Sequence, residues 1–391
     1  MKCSSIAQEK LALTRHELQE RVVLTSKLIT QLGLILTSKT VHLFSSFGIK
    51  TFQENKMATI KDVAREAGVS TATVSRVINK SPKAGKTSIQ AVQSAMKKLG
   101  YRPNANARAL VNKNSNTVGI LVSDISDPFF GTLIKAVDQI VREENKHLLI
   151  GNGYHNADSE RKAIELLINS CRESLIIHAK ALSAEELIGF AKEVPGLVLI
   201  NRYIPEIAER CIAFDNFKGA YMATEFLINN GHKHIAYINS NHKIDDASER
   251  KAGYLKALQD YDLPCPDHYT IEAESNDKGG KASMIELLSK NIPLTAVLTY
   301  NDFMAAGVLA ALEENNIAVP AQISLVGFDN GLISRYVHPK LTTINYPIEI
   351  MAKQATRLAL KLAKKEKYTP ETCIFSPTLV KRLSVSKNYS D

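Results

Sequence analysis

The chain has 391 residues, of which 45% are hydrophobic and 23% are charged, and its formal net charge is +9. This length exceeds one ordinary domain, and the composition is that of a soluble globular protein with a sizeable core. No run of about 18 apolar residues is present, so we expect no membrane span. The five cysteines are widely spaced, with no Cys-x-x-Cys pair. This pattern predicts free thiols in a reducing, cytoplasmic compartment.

The positive charge is concentrated in one stretch of the sequence. Residues 57–113 hold 11 Lys and Arg against 2 Asp and Glu, whereas residues 114–391 hold 30 against 34. Each cation placed on a phosphate releases condensed counterions, so a basic segment attached to an acidic body predicts binding to a polyanion. A solvated basic face is the alternative that charge alone leaves open.

Residues 1–56 carry no pattern that identifies a role. Weak helical periodicity around 11–34 is followed by a Ser/Thr/Phe stretch without a clear period. Because Met57 opens a much better organised segment, we expect Met57 to be the natural start and residues 1–56 to be an N-terminal extension.

The spacing over residues 59–79 is that of a helix-turn-helix. Apolar residues recur at intervals of three and four from Ile60 to Ala67, which predicts a helix with one buried face. Thr59 is placed to cap this helix and Gly68 to end it. A second short helix follows. An ordinary helical hairpin is the alternative, and the basic charge of this stretch argues against it.

The second helix is the one expected to enter the major groove of double-stranded DNA. Its predicted DNA contacts are Thr71, Ala72, Ser75, Arg76 and Asn79. A third helix is predicted over 87–99. The Gly-Lys-Thr sequence at 85–87 does not make a phosphate loop, because position 80 is lysine where a Walker motif needs glycine, and no hydrophobic strand precedes it.

A short segment rich in small residues follows at 103–113. A helix of this length is too short to be stable alone, so we expect it to fold only against a partner. Here the chain resembles the lactose/galactose repressor family of bacterial regulators. The motifs that carry the resemblance are Ile60-Lys-Asp-Val-Ala, Ala67-Gly-Val-Ser, Thr73-Val-Ser-Arg-Val, Tyr101-Arg-Pro-Asn and Ala107-Arg-Ala-Leu.

The resemblance implies a homodimer on double-stranded operator DNA. In that family the paired hinge helices enter the minor groove, and a leucine wedges between base steps and unstacks them. The matching residue here is Leu110, and Asn104 and Arg108 are implied as further DNA contacts. The sequence leaves open whether dimers pair into tetramers.

From residue 117 onward, strand-like runs alternate with helix-like sequence, which predicts parallel sheets with helices on both faces. The stretch is also similar to periplasmic sugar-binding proteins. The predicted fold class is therefore a small all-α helix-turn-helix head plus an α/β two-lobed core. The predicted domains are an extension at 1–56, the head at 57–102, the hinge at 103–113, and an effector-binding and dimerisation core at 114–391.

Polar residues follow the predicted strands, where ligands of parallel sheets bind. Carboxylates, amides and guanidinium groups can each hold two neighbouring hydroxyls, and an aromatic face covers the apolar side of a sugar ring. A lone Asp after a strand is otherwise a helix cap, and a lone Phe belongs to a core, as we expect of Phe130. The predicted sugar-site residues are Asp127, Phe129, Asn201, Arg202, Asp215, Arg250, Asn301 and Asp329.

Longer stretches, such as Ile150-Gly-Asn-Gly-Tyr-His and Pro195-Gly-Leu-Val-Leu-Ile-Asn-Arg, are similar to the galactose branch of the family. They imply galactose as the inducer of a repressor of sugar transport or catabolism genes. Two alternatives remain, a corepressor type with a purine or other effector, and a sugar-binding protein without a DNA role. An enzyme, a cofactor and a metal are not expected, because nucleotide-binding turns, nucleophile elbows and metal-ligand spacings are missing.

Overall fold

The computed structural model describes residues 58–78, 81–101, 116–171, 173–366 and 373–388. The chain divides into two compact units, Met1–Ala105 and Asn106–Asp391. Within the described ranges, no helix is long and apolar enough to cross a membrane. Several predictions fall outside the described residues, namely those on residues 1–56, on the hinge at 103–113, and on Asn79, Asn104, Arg108 and Leu110.

Three helices form the described part of the first unit. They are α1 Ile60–Ala67, α2 Thr71–Ile78 and α3 Lys86–Lys98. Helix α1 begins with a capping box, in which the Thr59 hydroxyl accepts from the N–H of Asp62 and the Asp62 carboxylate accepts from the N–H of Thr59 at 2.9 Å. Gly68 ends α1 with φ at 66°, a left-handed conformation that glycine adopts without a Cβ penalty. The predicted start and end of this helix are confirmed.

The three helices enclose a small apolar core. Val63, Val74 and Val92 are fully buried there, one from each helix. On α2, Thr71, Ala72 and Arg76 are exposed, and Ser75 is half-buried. The outer face of α2 therefore lies at the surface of the head, as a DNA-recognition helix requires.

The second unit contains two lobes, and lobe 1 is built on a parallel sheet. Its strands are β1 Thr117–Val122, β2 His147–Asn152, β3 Ser174–Ile177, β4 Gly196–Ile200, β5 Cys211–Phe214 and β11 Ile374–Phe375. Its helices are α4 Pro128–Glu143, α5 Ala157–Cys171, α6 Ala184–Glu193 and α12 Ile348–Ala363. The strand order is β11-β5-β4-β3-β1-β2. Every residue of β3 and β4 is buried, as expected of strands covered on both faces.

Lobe 2 repeats this arrangement. Its strands are β6 Ile235–Ser240, β7 Thr270–Ala273, β8 Ala296–Thr299, β9 Ser324–Asp329, β10 Thr342–Asn345 and β12 Thr378–Val380. Its helices are α7 Asn216–Asn229, α8 Asp245–Asp260, α9 Asp277–Ser289, α10 Asp302–Glu314 and α11 Ile333–Tyr336. The order is β12-β10-β9-β8-β6-β7, parallel except for the β10–β12 pair. The chain passes between the lobes after β5, after β10 and after β11, and the predicted two-lobed α/β core is confirmed.

Helices α7 and α8 of lobe 2 approach each other closely at Gly253. A Cβ on Gly253 would lie 2.1 Å from the carbonyl oxygen of Phe217 and 3.0 Å from the amide nitrogen of Tyr221. Both atoms belong to the backbone and cannot rotate away. We therefore expect Gly253→Ala to separate the helices and to lower the free energy of unfolding of the core by about 1–3 kcal/mol or more.

The matched control is Gly189→Ala on α6, where no atom outside the helix lies within 4 Å of the added Cβ. The same substitution there should stabilise the core by up to about 1 kcal/mol through helix propensity. Urea unfolding of the two variants measures the difference. Equal stabilities would contradict the close packing of α7 on α8.

Candidate functional site

Two adjoining cavities lie between the lobes, beyond the carboxyl ends of the strands. The smaller measures about 50 Å³ and the larger about 500 Å³. Asp127, Phe129, Asn301 and Asp329 line both of them. All four are predicted site residues, and lobe 1 supplies the first two while lobe 2 supplies the others. The structure thus brings together residues that lie up to two hundred positions apart in the sequence.

Asp127 caps α4 and also forms part of the cavity wall. Its Oδ1 accepts from the backbone N–H of Phe129 at 2.8 Å. Burial raises the pKa of Asp127 to about 6, although the hydrogen bond from Phe129 acts in the opposite direction. Asp127 is therefore both the helix cap of the alternative interpretation and a residue of the cavity wall, as the site prediction expected.

Arg250 supplies a buried cation. Its Nε donates to Oδ1 of Asn216 at 2.9 Å, and its Nη1 donates to the carbonyl oxygen of Tyr300 at 2.5 Å. The guanidinium carbon lies 3.7 Å from the centre of the Phe328 ring. These contacts fix the guanidinium plane, while Nη2 has no hydrogen-bond partner among the described residues. Arg250 lies in the second turn of α8.

Asp329 and Asn301 complete the lobe 2 wall. Oδ1 of Asp329 lies 3.7 Å from Nη1 of Arg250. Burial raises the pKa of Asp329 well above its usual value, although the charge of Arg250 lowers it in part. Asn301 caps α10, since its Oδ1 accepts from the N–H of Met304 at 2.8 Å. Acceptors and donors therefore face one space from the same lobe.

The other three predicted residues take different positions. Asn201 lines the smaller cavity, where its Oδ1 is buried without a hydrogen-bond partner among the described residues. Arg202 lies outside both cavity linings, because its Nη1 donates to two carbonyl groups of the loop after β3, at 3.1 and 2.8 Å. Asp215 is also outside them and caps α7 by accepting from the N–H of Lys218 at 2.9 Å. We predicted that Arg202 and Asp215 lie with the cavity residues, but the structure places both outside the two cavity linings.

The smaller cavity is also lined by residues that were not among the predicted site residues. They are His155, His178, Ile244, Asp246, Ser275 and Tyr300, together with Phe130, which also packs in the lobe 1 core as expected. Each of the six follows the end of β2, β3, β6, β7 or β8. The rule that placed Asp127 and Asp329 in the site, applied to every strand, points to the same loops.

Burial keeps the two histidines of this wall neutral at neutral pH. It lowers the pKa of His178 to about 3 and that of His155 to about 4. The Nδ1 of His178 shares a hydrogen bond of 2.9 Å with Ser123, whereas Nδ1 of His155 is buried without a partner in the part of the chain that the structure describes. An unpaired buried polar atom is costly unless a ligand or water satisfies it.

Tyr346 contributes an aromatic ring to the wall of the larger cavity. Its ring stacks on Phe214 with centroids 4.1 Å apart and meets Phe129 edge-on at 5.2 Å. Its hydroxyl is buried, and no described residue forms a hydrogen bond with it. Carboxylates, a fixed guanidinium, amides and aromatic faces around one space suit a small ligand that is rich in hydroxyl groups.

Comparison with known proteins adds a family to this geometry. Residues 59–104 match the model of bacterial regulatory proteins, lacI family, and residues 224–385 match the periplasmic binding protein-like domain. The chain is 52% identical over 330 residues to the HTH-type transcriptional regulator GalR of Escherichia coli, which covers 84% of this chain and 96% of that protein. It is 50% identical to the HTH-type transcriptional regulator GalS of Salmonella typhimurium, covering 84% and 97%.

Proteins of lower sequence identity to this chain are also transcriptional regulators. The HTH-type transcriptional repressor PurR of Yersinia pestis is 32% identical, covering 84% of this chain and 97% of that protein. Among solved structures, the lac repressor dimer bound to operator and the anti-inducer ONPF superposes with a TM-score of 0.70 at 26% identity, covering 85% of this chain and all of that one. A complex of the transcriptional regulator CelR with cellobiose gives a TM-score of 0.61 at 26% identity, covering 84% and 99%.

Proposed function

Because the chain belongs to the lacI family of bacterial regulatory proteins, we propose that it represses galactose genes and that galactose releases it from its operator. One observation carries the proposal: Asp127, Arg250, Asn301 and Asp329 converge between two lobes of a chain whose other unit is a helix-turn-helix head. Its similarity to regulators, not enzymes, supports action by binding alone.

Galactose is held from both lobes. The carboxylates of Asp127 and Asp329 accept hydrogen bonds from ring hydroxyls, and Nη2 of Arg250 donates to a hydroxyl or ring oxygen. Phe129 and Tyr346 cover the apolar face of the ring. Ligand pockets usually measure about 300–1,000 Å³, so the larger cavity has room for the ring, and the smaller one takes its most deeply buried groups.

Calorimetry with a panel of small molecules tests the choice of effector. Galactose should bind, while glucose and a purine base should bind far more weakly, because each buried polar group left unpaired by the wrong ligand weakens binding. The purine base tests the corepressor alternative. The 32% identity to PurR is the reason to include it in the panel. Binding of the purine but not of galactose would overturn the proposal.

The head binds the operator through α2. Thr71, Ala72, Ser75 and Arg76 lie along its outer face and contact base edges and phosphates in the major groove. The proposed contacts outside the described residues are Asn79, Asn104, Arg108 and Leu110, the last three in the hinge at 103–113. Galactose alters the arrangement of the lobes, which separates the paired hinges and lowers affinity for the specific site.

A homodimer matches a near-palindromic operator with two heads. Apolar side chains on the core surface support a partner subunit, since Leu332 and Tyr336 are 61% and 72% exposed. Leu149 and Ile150 are also exposed on β2, which lies at the edge of its sheet. In this proposal residues 57–102 form the head and residues 114–391 form the effector-binding and dimerisation core.

Galactose binding should weaken as the pH falls through about 6, the pKa of Asp127 in the free protein. Sugar hydroxyls that donate to the carboxylate favour its ionised form and lower this pKa in the complex. Below pH 6 the free protein therefore holds a proton that the complex releases, so the affinity falls by up to about tenfold per pH unit. Calorimetry on both sides of this pH measures the effect. Asp127→Asn should weaken the pH dependence, and the raised pKa of Asp329 accounts for what remains. An affinity that rises on acidification would contradict the assignment.

A further inference from the structure

We propose that Lys180 and Asp246 are positioning residues that tie the two lobes together across the cleft and thereby set the affinity for the effector. The inference rests on the proposed function only in naming galactose as that effector. Lys180 follows β3 in lobe 1, and Asp246 lies in the first turn of α8 in lobe 2. Lys180 does not line either cavity, so it acts on the ligand only through other groups.

The two side chains form a buried ion pair. Nζ of Lys180 lies 2.6 Å from Oδ1 of Asp246, and their side chains are only 1% and 6% exposed. Nζ also donates to the carbonyl oxygen of Asn201, whose Nδ2 donates to Oδ2 of Asp246 at 2.8 Å. Lobe 1 thus holds both carboxylate oxygens of a lobe 2 residue.

Nearby positive charges stabilise the negative charge of Asp246. Burial raises the pKa of Asp246, but the nearby charges of Lys180 and Arg250 outweigh it and hold that pKa below its usual value. The carboxylate is therefore ionised at neutral pH. Because a buried charge without its partner is strongly destabilised, any motion that separates Lys180 from Asp246 must bring water to both.

Lys180 is held rigidly to lobe 1 by its own backbone. Glu160 on α5 is fully buried, and its carboxylate accepts from the N–H groups of Lys180, Ala181 and Leu182, each at 3.0 Å. The loop therefore cannot follow lobe 2 when the cleft opens. Separation of the lobes therefore breaks the Lys180–Asp246 contact.

A second contact joins the same parts of the two lobes. His155, in the loop after β2, stacks on His242, in the loop before α8, with ring centroids 4.6 Å apart. Both contacts link loops of lobe 1 to the segment that leads into α8, which also carries Arg250. The ion pair therefore fixes the position of Arg250 relative to Asp127 on the opposite wall.

The expected effect follows from the position of the ligand. A sugar that contacts Asp127 in lobe 1 and Arg250 in lobe 2 binds fully only when the lobes are close together. The ion pair favours that arrangement in the free protein. Without the ion pair, binding must also supply the free energy that brings the lobes together, and the net affinity is lower. In Lys180→Met, galactose affinity falls although the altered residue lines neither cavity.

The test uses the full chain with Lys180→Met, with Asp246→Asn, and with both changes. Lys281→Met is the matched control, because it breaks the exposed Lys281–Glu314 pair, whose length is also 2.6 Å, within lobe 2. Spin labels on bio-orthogonal residues at the exposed positions Glu193 on α6 and Glu313 on α10 report the lobe separation without sugar. Labelled protein is diluted with unlabelled chain so that only distances within one subunit are measured.

Each single variant should give a longer and broader label distance and about tenfold weaker galactose binding. The double variant should be no weaker than the worse single variant, because the two changes remove one interaction. The control should match the unaltered protein in both measurements. Unchanged label distances in Lys180→Met, or additive effects in the double variant, would overturn the inference. Failure of the unaltered protein to bind galactose would instead refute the proposed function, and the label distances would still decide the role of the pair.

Discussion

Replacing Arg250 by alanine is expected to abolish the response to galactose while leaving operator binding intact. The side chain is buried, and its loss removes the donor that faces the ligand and the cation beside Asp329. Hydrogen bonds to charged groups are worth about 1.5–3 kcal/mol each, so loss of the bond from Nη2 lowers galactose affinity by about tenfold to 100-fold. Calorimetry measures the affinity, and an operator shift with and without sugar measures the response.

Two further variants separate this role from folding. Arg250→Lys keeps the charge but loses the planar guanidinium, so it should bind galactose poorly with a smaller loss of stability. Arg142→Ala removes an arginine whose side chain is 76% exposed on α4 and should change neither property. A folded Arg250→Ala protein that retains normal galactose affinity would contradict the assignment of Arg250 to the site.

Replacing Arg76 by alanine is expected to weaken operator binding by about 1–3 kcal/mol, which is roughly tenfold to 100-fold, because an arginine in the major groove can contact a guanine through two hydrogen bonds. Arg76 is exposed on the outer face of α2 and does not contribute to the head core, so the variant should fold normally. Galactose binding should be unaffected, since the effector site lies in the other unit of the chain.

Titration of labelled operator DNA with the Arg76→Ala protein measures this loss. Arg142→Ala is again the control, because it removes an arginine from the surface of the effector-binding unit and leaves the head unchanged. Binding to random DNA should weaken far less than binding to the operator if Arg76 contacts a base. Equal losses on both DNAs would place Arg76 on a phosphate, and no loss on either would remove it from the interface.

The sequence was sufficient to predict those parts of the fold that depend on local pattern. The helix α1 has a capping residue, a repeating apolar face and a terminal glycine, and each of these is visible in consecutive residues. Strands such as β3 and β4 are buried on both faces and therefore appear as continuous apolar runs. Strand β10 is hard to recognise in the sequence because its four residues, Thr-Thr-Ile-Asn, contain a single large apolar side chain. For that reason nothing in the sequence marks Tyr346, in the loop after it, as a site residue.

The candidate site was predicted in part, and its limits have a physical reason. The ends of strands identify Asp127, Asn301 and Asp329 because all parallel strands of a sheet point the same way. They cannot distinguish a side chain that lines the cavities from one whose guanidinium is held by the loop after β3, as that of Arg202 is. The pairing of Lys180 with Asp246 depends on how two separate lobes meet, and no local pattern in either segment records it.

The most direct test of this account measures operator affinity in the presence and absence of galactose at one fixed salt concentration. The operator is obtained by selecting the protein's preferred site from random double-stranded DNA. The account predicts tight binding without sugar and a loss of about tenfold or more at saturating galactose, since effectors of this kind usually couple by about 1–3 kcal/mol. Undiminished or tighter binding at saturating galactose would contradict it.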